Sequence, residues 1–504
     1  MLKYSPDLSC ALDRLETPLM ALRTPHNRWT LATLGVWTIF CSLHGRFLKA
    51  HTQNDQGMES PNRAFQSAVT NYESGNFAQA EQILLPLLKR SPQAFDVNEL
   101  MGLVLTGERK DAEALTYLRS AARTSPGSAP ALLAYAACLA RLGRMGEAEA
   151  QFRQAVALEP SAYDSNHDMG EFYVQAGKLA SAIPYLEKAQ LAQPSSYENG
   201  YDLALADIRT RKPRQAENAL QNLVRYHDTA ELHNLLGEAE ENSGDYLSAV
   251  QEYEKAAHMD PSEANILDWG TELLLHHTFS PAVQVFIFGT EKYPGSLKME
   301  IGLGLAYYGL ASFQNAAAAL MRACDLAPRD PTPYLILGET YSNSRVPVEG
   351  VVERLERLTA MDPTNARAFY YQALALWKAP QAVPGGAVLN KVESTLQKAV
   401  VLDPTFADAR LQLGKLYTGE NKIPEAIAAY NEAMRIDPNL ADAHYRLAQL
   451  YRQSGRIAEA QNQMRVYQIL HQEQLKEKDQ ERSKIQRFVY TIKRQGNDEP
   501  TAVR

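Results

Sequence analysis

Few side chains in this 504-residue chain invite a chemical reading. His276 and His277 are adjacent. Neighbours on a helix point about 100° apart, so the two imidazoles cannot share a metal as an i, i+4 pair does. They read as turn residues at a helix end. Gly302-Leu303-Gly304 lies inside a helical pattern, where Gly304 is the small residue that packing requires. Glu238, Glu240 and Glu241 have no evident acid–base partner and read as a solvated helix face. The chain has no GxxxxGK[ST], no GxGxxG after a strand, no HExxH and no CxxC. These residues point to a non-catalytic protein without metal or cofactor.

The elements that carry these residues are set by a ladder of small side chains. Gly or Ala recurs at Ala68, Gly102, Ala136, Gly170, Ala204, Gly237, Gly270, Gly304, Gly338, Ala373, Gly414 and Ala448, mostly 34 residues apart. A second small residue follows twelve positions later, as at Ala80, Ala114, Ala148, Ala182 and Ala216. A proline then closes most units, for example Pro92, Pro160, Pro194 and Pro438. In the unit from Ala407 to Pro438, Ala407, Leu411, Gly414 and Tyr417 mark one amphipathic helix. Ile423, Ala426, Ile427, Tyr430, Ala433 and Met434 mark a second, which must stop before Pro438. Small residues let the two helices approach closely, and large ones fill the gaps between them. One such hairpin cannot bury its apolar face alone, so units must stack.

The pattern resembles the tetratricopeptide repeat family. Asn166, Met169, Gly170, Tyr173, Ala182, Leu186, Ala189 and Pro194 meet the family's positions in one unit. His233, Leu236, Gly237, Glu240, Ala249, Tyr253, Ala256 and Pro261 are their counterparts in another. The resemblance implies an all-α, right-handed α-solenoid of about twelve helix-turn-helix units. Its first helices would line a concave groove that binds other polypeptides. On that resemblance the groove residues are Phe65 and Tyr72, His167 and Glu171, Tyr201 and Arg209, Asn234 and Glu238, and Tyr308. Further along they are Tyr370, Trp377 and Lys378, then Lys415, then Tyr445 and Arg452. Aromatic residues interleaved with isolated charges suit peptide recognition. The lysine and asparagine set by which some family members grip acidic chaperone tails is not assembled here.

Three units depart from the pattern. The fifth has Asp228 where proline is expected, and its turn reads Arg211-Lys212-Pro213. The ninth carries Gly350 in place of alanine, and the tenth lengthens the loop between its helices over residues 378–387. The net charge of −8 with no basic stripe argues against nucleic acid as partner. Of four cysteines, Cys138 and Cys324 sit five repeats apart. At roughly 8–10 Å per layer that is far beyond the ~7 Å reach of a disulfide. Both read as small buried hydrophobes.

The expected organisation is a targeting segment at 1–50, a polar linker at 51–60, the repeats at 61–472, a charged amphipathic helix at 473–494 and a disordered tail at 495–504. Trp29 to Leu43 is uncharged and follows Arg23 and Arg28. It is short against the ~20 residues of a spanning helix and fits a cleaved secretory signal or an uncleaved anchor. A start at Met20 would give a signal of ordinary proportions. Export to a bacterial periplasm or anchoring at the inner membrane is therefore expected, with membrane association through residues 29–43. The alternatives are an accessory subunit of an enzyme such as a glycosyltransferase, or an envelope assembly factor for secretion, pili or polysaccharide export. Ile485, Phe488, Val489 and Ile492 form an apolar stripe among basic residues, suited to cap the solenoid or to dock a partner.

Overall fold

The computed structural model describes residues 61–344, 346–378 and 386–495, with side chains as far as 476. The expected targeting segment and linker lie outside the described residues, as do the terminal tail beyond 495, the side chains of the stripe at 485–492 and all but the ends of the 378–387 loop. Among the described residues all regular structure is helical, and the chain forms two compact bodies.

The first body runs to Asp245. It holds α1 (Pro61–Glu73), α2 (Phe77–Arg90), α3 (Phe95–Gly107), α4 (Asp111–Thr124), α5 (Ala129–Arg141) and α6 (Met145–Leu158). It continues with α7 (Tyr163–Gln175), α8 (Leu179–Ala192), α9 (Tyr197–Arg209), α10 (Pro213–Val224) and α11 (Ala230–Ser243). The second body begins at Tyr246. Its elements are α12 (Tyr246–Met259), α13 (Glu263–Leu275), α14 (Phe279–Lys292), α15 (Leu297–Gly309), α16 (Phe313–Leu326) and α17 (Pro331–Ser342). After these come α18 (Val351–Met361), α19 (Ala366–Trp377), α20 (Ala387–Leu402), α21 (Ala407–Gly419), α22 (Ile423–Ile436), α23 (Ala441–Gln453) and α24 (Ile457–Gln495). Within each body every helix packs on the helix before and the helix after it.

The small residues do what the ladder requires. Ala68, Ala136, Ala204 and Ala373 are fully buried, and so are Ala80, Ala114, Ala148, Ala182 and Ala216. At Gly102 a methyl group would lie 2.4 Å from Leu118 Cδ2, so the leucine of the second helix occupies the space the glycine leaves. Phe286 is gripped from two sides: a methyl group on Gly270 would lie 2.6 Å from its ring, and one on Gly302 2.3 Å. Gly302, to which the sequence pattern assigned no role, is therefore a packing residue beside Gly304. Cys138 and Cys324 are free, fully buried thiols, as expected. Burial pushes them up, to about 11 and about 12 respectively.

The turns explain the spacing. Between first and second helix one residue takes the left-handed conformation: Gly143 (φ 76°) and Gly177 (φ 70°), but also Arg109 (φ 63°), Arg211 (φ 61°) and His277 (φ 57°). Before the closing prolines, Glu159 (φ −131°, ψ 74°) and Gln193 (φ −137°, ψ 83°) leave the helical region, as a following proline demands. A polar residue in the first turn of the next helix then fastens that corner. Asn98 donates through Nδ2 to Pro92 O (3.0 Å), Asn166 likewise to Pro160 O (3.0 Å), and His444 Nε2 lies 2.9 Å from Pro438 O. In the fifth unit, which lacks the proline, α10 stops at Val224 and Asp228 meets His233 Nε2 at 2.7 Å.

Two elements differ from the sequence expectation. Gly350 is not a packing residue inside a helix; it stands at the N-cap of α18 with φ 86°, and α18 is correspondingly short. The boundary expected near 472 is no helix end, because α24 runs unbroken through it. No proline or glycine interrupts the sequence between Ile457 and Gln495, so nothing in it stops the helix. Among the described residues no helix is long and apolar enough to cross a membrane.

Candidate partner-binding faces on the first helices

In the first body the first helices α1, α3, α5, α7, α9 and α11 lie side by side, each touching the next. Side chains one repeat apart therefore meet along one face. Tyr163 OH lies 2.7 Å from Ser196 Oγ, and His167 Nδ1 lies 3.1 Å from Asn199 Oδ1. Tyr197 donates its hydroxyl to Glu231, and Arg209 donates to Glu238 Oε1 at 3.0 Å. The His167 ring stacks on Tyr163 at 5.1 Å, and Tyr201 stacks on Tyr197 at 6.2 Å. Half-exposed rings and charges thus alternate along this face.

The expected groove residues divide. His167, Glu171 and Tyr201 are half-buried on this face, and Arg209 is exposed beside half-buried Glu238. Phe65 and Asn234 are 4% and 2% exposed and belong to the packing between helices. Tyr72 is half-buried, its ring 5.8 Å from Phe77. Of the three glutamates expected on a solvated face, Glu240 is instead buried at 6%.

Three carboxylates that the sequence did not single out stand out here. Glu99 on α3 is 6% exposed; burial, reinforced by Asp96 one turn away, pushes its carboxyl up to about 7. Asp207 on α9 is 2% exposed and raised to about 6, mainly by burial, with Lys212 opposing. Asp168, next to His167, is half-buried. Burial raises it to about 7, His167 lowers it, and Glu171 and Asp164 raise it further. One donor atom each of His167, Asp168 and Glu171 lies within 4.8 Å of the others, near enough for a single cationic group to touch all three. A position-by-position count of charges along the first helices would have found Asp168; the burial of Glu99 has no signature in sequence. A separate basic hollow, lined by Arg211, Lys212, Arg214 and Asn242, sits at the turn side of this body.

The second body places its residues differently. Tyr308 is buried at 2% and accepts from Asn343 Nδ2 at 3.0 Å, so it is a packing residue rather than a groove ring. Tyr370 is half-buried against Phe406, ring centres 4.9 Å apart, and burial raises its hydroxyl above the usual range. Trp377 is half-buried at the end of α19. Lys378, the next residue, donates to Tyr341 O and to Ser342 O (3.0 Å), the last carbonyls of α17, with Nζ 4.3 Å from the centre of the Tyr341 ring. Burial lowers its ammonium to about 8. Lys415 pairs with Asp442 at 2.7 Å. Tyr445 is exposed, its ring 5.1 Å from Tyr467, and Arg452 is exposed at the end of α23. His276 closes α13 and lies 3.0 Å from Glu272, the helix-end position expected for it.

Family models described as tetratricopeptide repeat match residues 67–129, 105–168, 163–196 and 201–264, and one described as TPR repeat matches 416–455. No curated protein matches the chain. Among solved structures it is similar to Naa15/Naa10 bound to HypK-THB, with 16% identity and a TM-score of 0.37 over 81% of this chain and 68% of that one. It is also similar to pilF of Pseudomonas aeruginosa, with 20% identity and a TM-score of 0.36 over 41% and 95%. A third is YrrB, a TPR protein with an unusual peptide-binding site, at 14% identity and a TM-score of 0.33 over 36% and 94%.

Proposed function

We propose that this chain, whose matched segments are tetratricopeptide repeats, is a non-catalytic scaffold that binds polypeptide segments along the faces of its first helices. The observation that carries this reading is the alignment of half-exposed rings and charges on neighbouring first helices, from Tyr163 and His167 to Tyr197 and Tyr201. A ligand lying across successive repeats would gather several weak contacts, whose sum gives affinity without any deep pocket. Rigid helices hold those contacts in register, so little ordering entropy is lost on binding.

Photo-crosslinking in the native cell tests this. A photoreactive phenylalanine analogue at Tyr201 or Tyr445 is expected to capture polypeptides, while the same group at Leu191, 82% exposed on second helix α8, captures few. Equal capture at all three sites would defeat the reading. The proposed setting is the cell envelope, supported by the uncharged stretch at Trp29–Leu43. Fractionation of the tagged chain tests it: recovery in the cytosol with Met1 intact would exclude export.

A further inference from the structure

The first-helix face of the first body carries carboxylates that no hydrogen bond or ion pair holds among the described residues. Glu99 is 94% buried by its 6% exposure, yet it makes no hydrogen bond and no ion pair among the described residues. Asp168, half-buried two repeats further along, makes none either. The cations of this face are already engaged: Arg141 donates to Asp111 at 2.9 Å, and Arg209 to Glu238 at 3.0 Å. A buried carboxylate without a partner is disfavoured, and it is relieved by a cation supplied from outside.

We propose that this face takes a cationic polypeptide segment, seating one lysine or arginine at Glu99 and a second at Asp168 between His167 and Glu171. The inference rests on the scaffold reading above and names the chemistry of its partner. Asp168 and Glu171, the two carboxylates beside His167, can receive an ammonium or guanidinium, which donates several hydrogen bonds at once. Successive first helices in contact are roughly 10 Å apart, so the two seats lie ~20 Å apart. At about 3.3 Å per extended residue, the two basic side chains stand some six positions apart in the partner.

Panning a random peptide library on the full chain, with EDTA present throughout, tests this. The expected result is enrichment of peptides with lysine or arginine at two positions five to seven apart. Replacing either basic residue by norleucine, or changing the protein by Glu99→Gln or Asp168→Asn, should weaken binding about tenfold or more. Circular dichroism should show both variants folded, since each removes a charge and keeps the shape. Enriched peptides without basic residues, indifferent to both variants, would overturn this inference and leave the scaffold intact. Recovery of no peptide at all would count against both. Peptide binding that appears only when a divalent metal replaces EDTA would overturn it in favour of a metal seat at His167, Asp168 and Glu171.

Discussion

Asn199 Oδ1 lies 3.1 Å from His167 Nδ1, and the other bonds of Asn199 fix the direction of the proton between them. Asn199 Nδ2 donates to Leu186 O and to Gln190 Oε1, both at 2.8 Å, so its oxygen must face the imidazole. An amide oxygen only accepts; Nδ1 therefore carries the hydrogen, and in the neutral ring Nε2 keeps its lone pair. Nitrogen-15 spectra at pH 8 should show the Nδ1–H tautomer at His167. Asn199→Leu should release the ring into a mixture of tautomers. Because Asn199 is fully buried and bridges α8 to α9, the change should also destabilise the protein by about 1–3 kcal/mol. An Nε2–H tautomer in the wild type would refute the assignment.

Glu99 makes stability depend on pH. Its carboxyl is raised from 4.5 to about 7 on folding, so between those values the native state binds a proton that the unfolded chain does not. Stability therefore falls as pH rises from about 4.5 to about 7 and levels off above, by at most about 3 kcal/mol. Urea unfolding of Glu99→Gln should show a gain over wild type at pH 8 that shrinks toward pH 4. A pH-independent difference would remove Glu99 as its source.

Lys378 acts in the opposite sense. Burial holds its folded value near 8, below the 10.5 of the unfolded chain, so the native state binds fewer protons between the two. The stability of the wild type relative to Lys378→Met should rise as pH climbs through that window. The ammonium also caps α17 at Tyr341 O and Ser342 O, so below pH 8 the variant should exchange the amide protons of α17 faster. Unchanged exchange would mean the cap contributes nothing.

Gly302→Ala should cost about 1–3 kcal/mol, since its methyl group would enter the Phe286 ring at 2.3 Å and that ring is fully buried. A thermal melt reads it directly. The paired change Gly302→Ala with Phe286→Leu should recover part of the loss; further destabilisation by the second change would point to another cause.

Packing was legible in the sequence because each buried methyl repeats on a fixed spacing: Ala68, Ala136 and Ala204 are fully buried where the ladder placed them. The candidate faces were less legible. Tyr308 and Asn234 share helix positions with half-exposed groove residues, yet neighbours close over them, and that depends on side chains a repeat away. Lys378 could be named from its position, but not its task, because its partners are backbone carbonyls at the end of an irregular unit. Glu99 looked like any glutamate, since burial of a charge leaves no periodic trace.

The side-chain rungs between neighbouring repeats have a consequence for synthesis on the ribosome. The hydrogen bond from Lys378 to Tyr341 reaches back 37 residues, and rungs between neighbouring repeats such as Arg209–Glu238, Tyr163–Ser196 and Asn343–Tyr308 span 29 to 35. Each helix pair can therefore complete its bonds once the pair behind it has emerged, without waiting for the distant C-terminus. A ribosome paused midway would hold a nascent chain whose exposed repeats are already locked to one another, leaving only the newest hairpin open to chaperones or proteases.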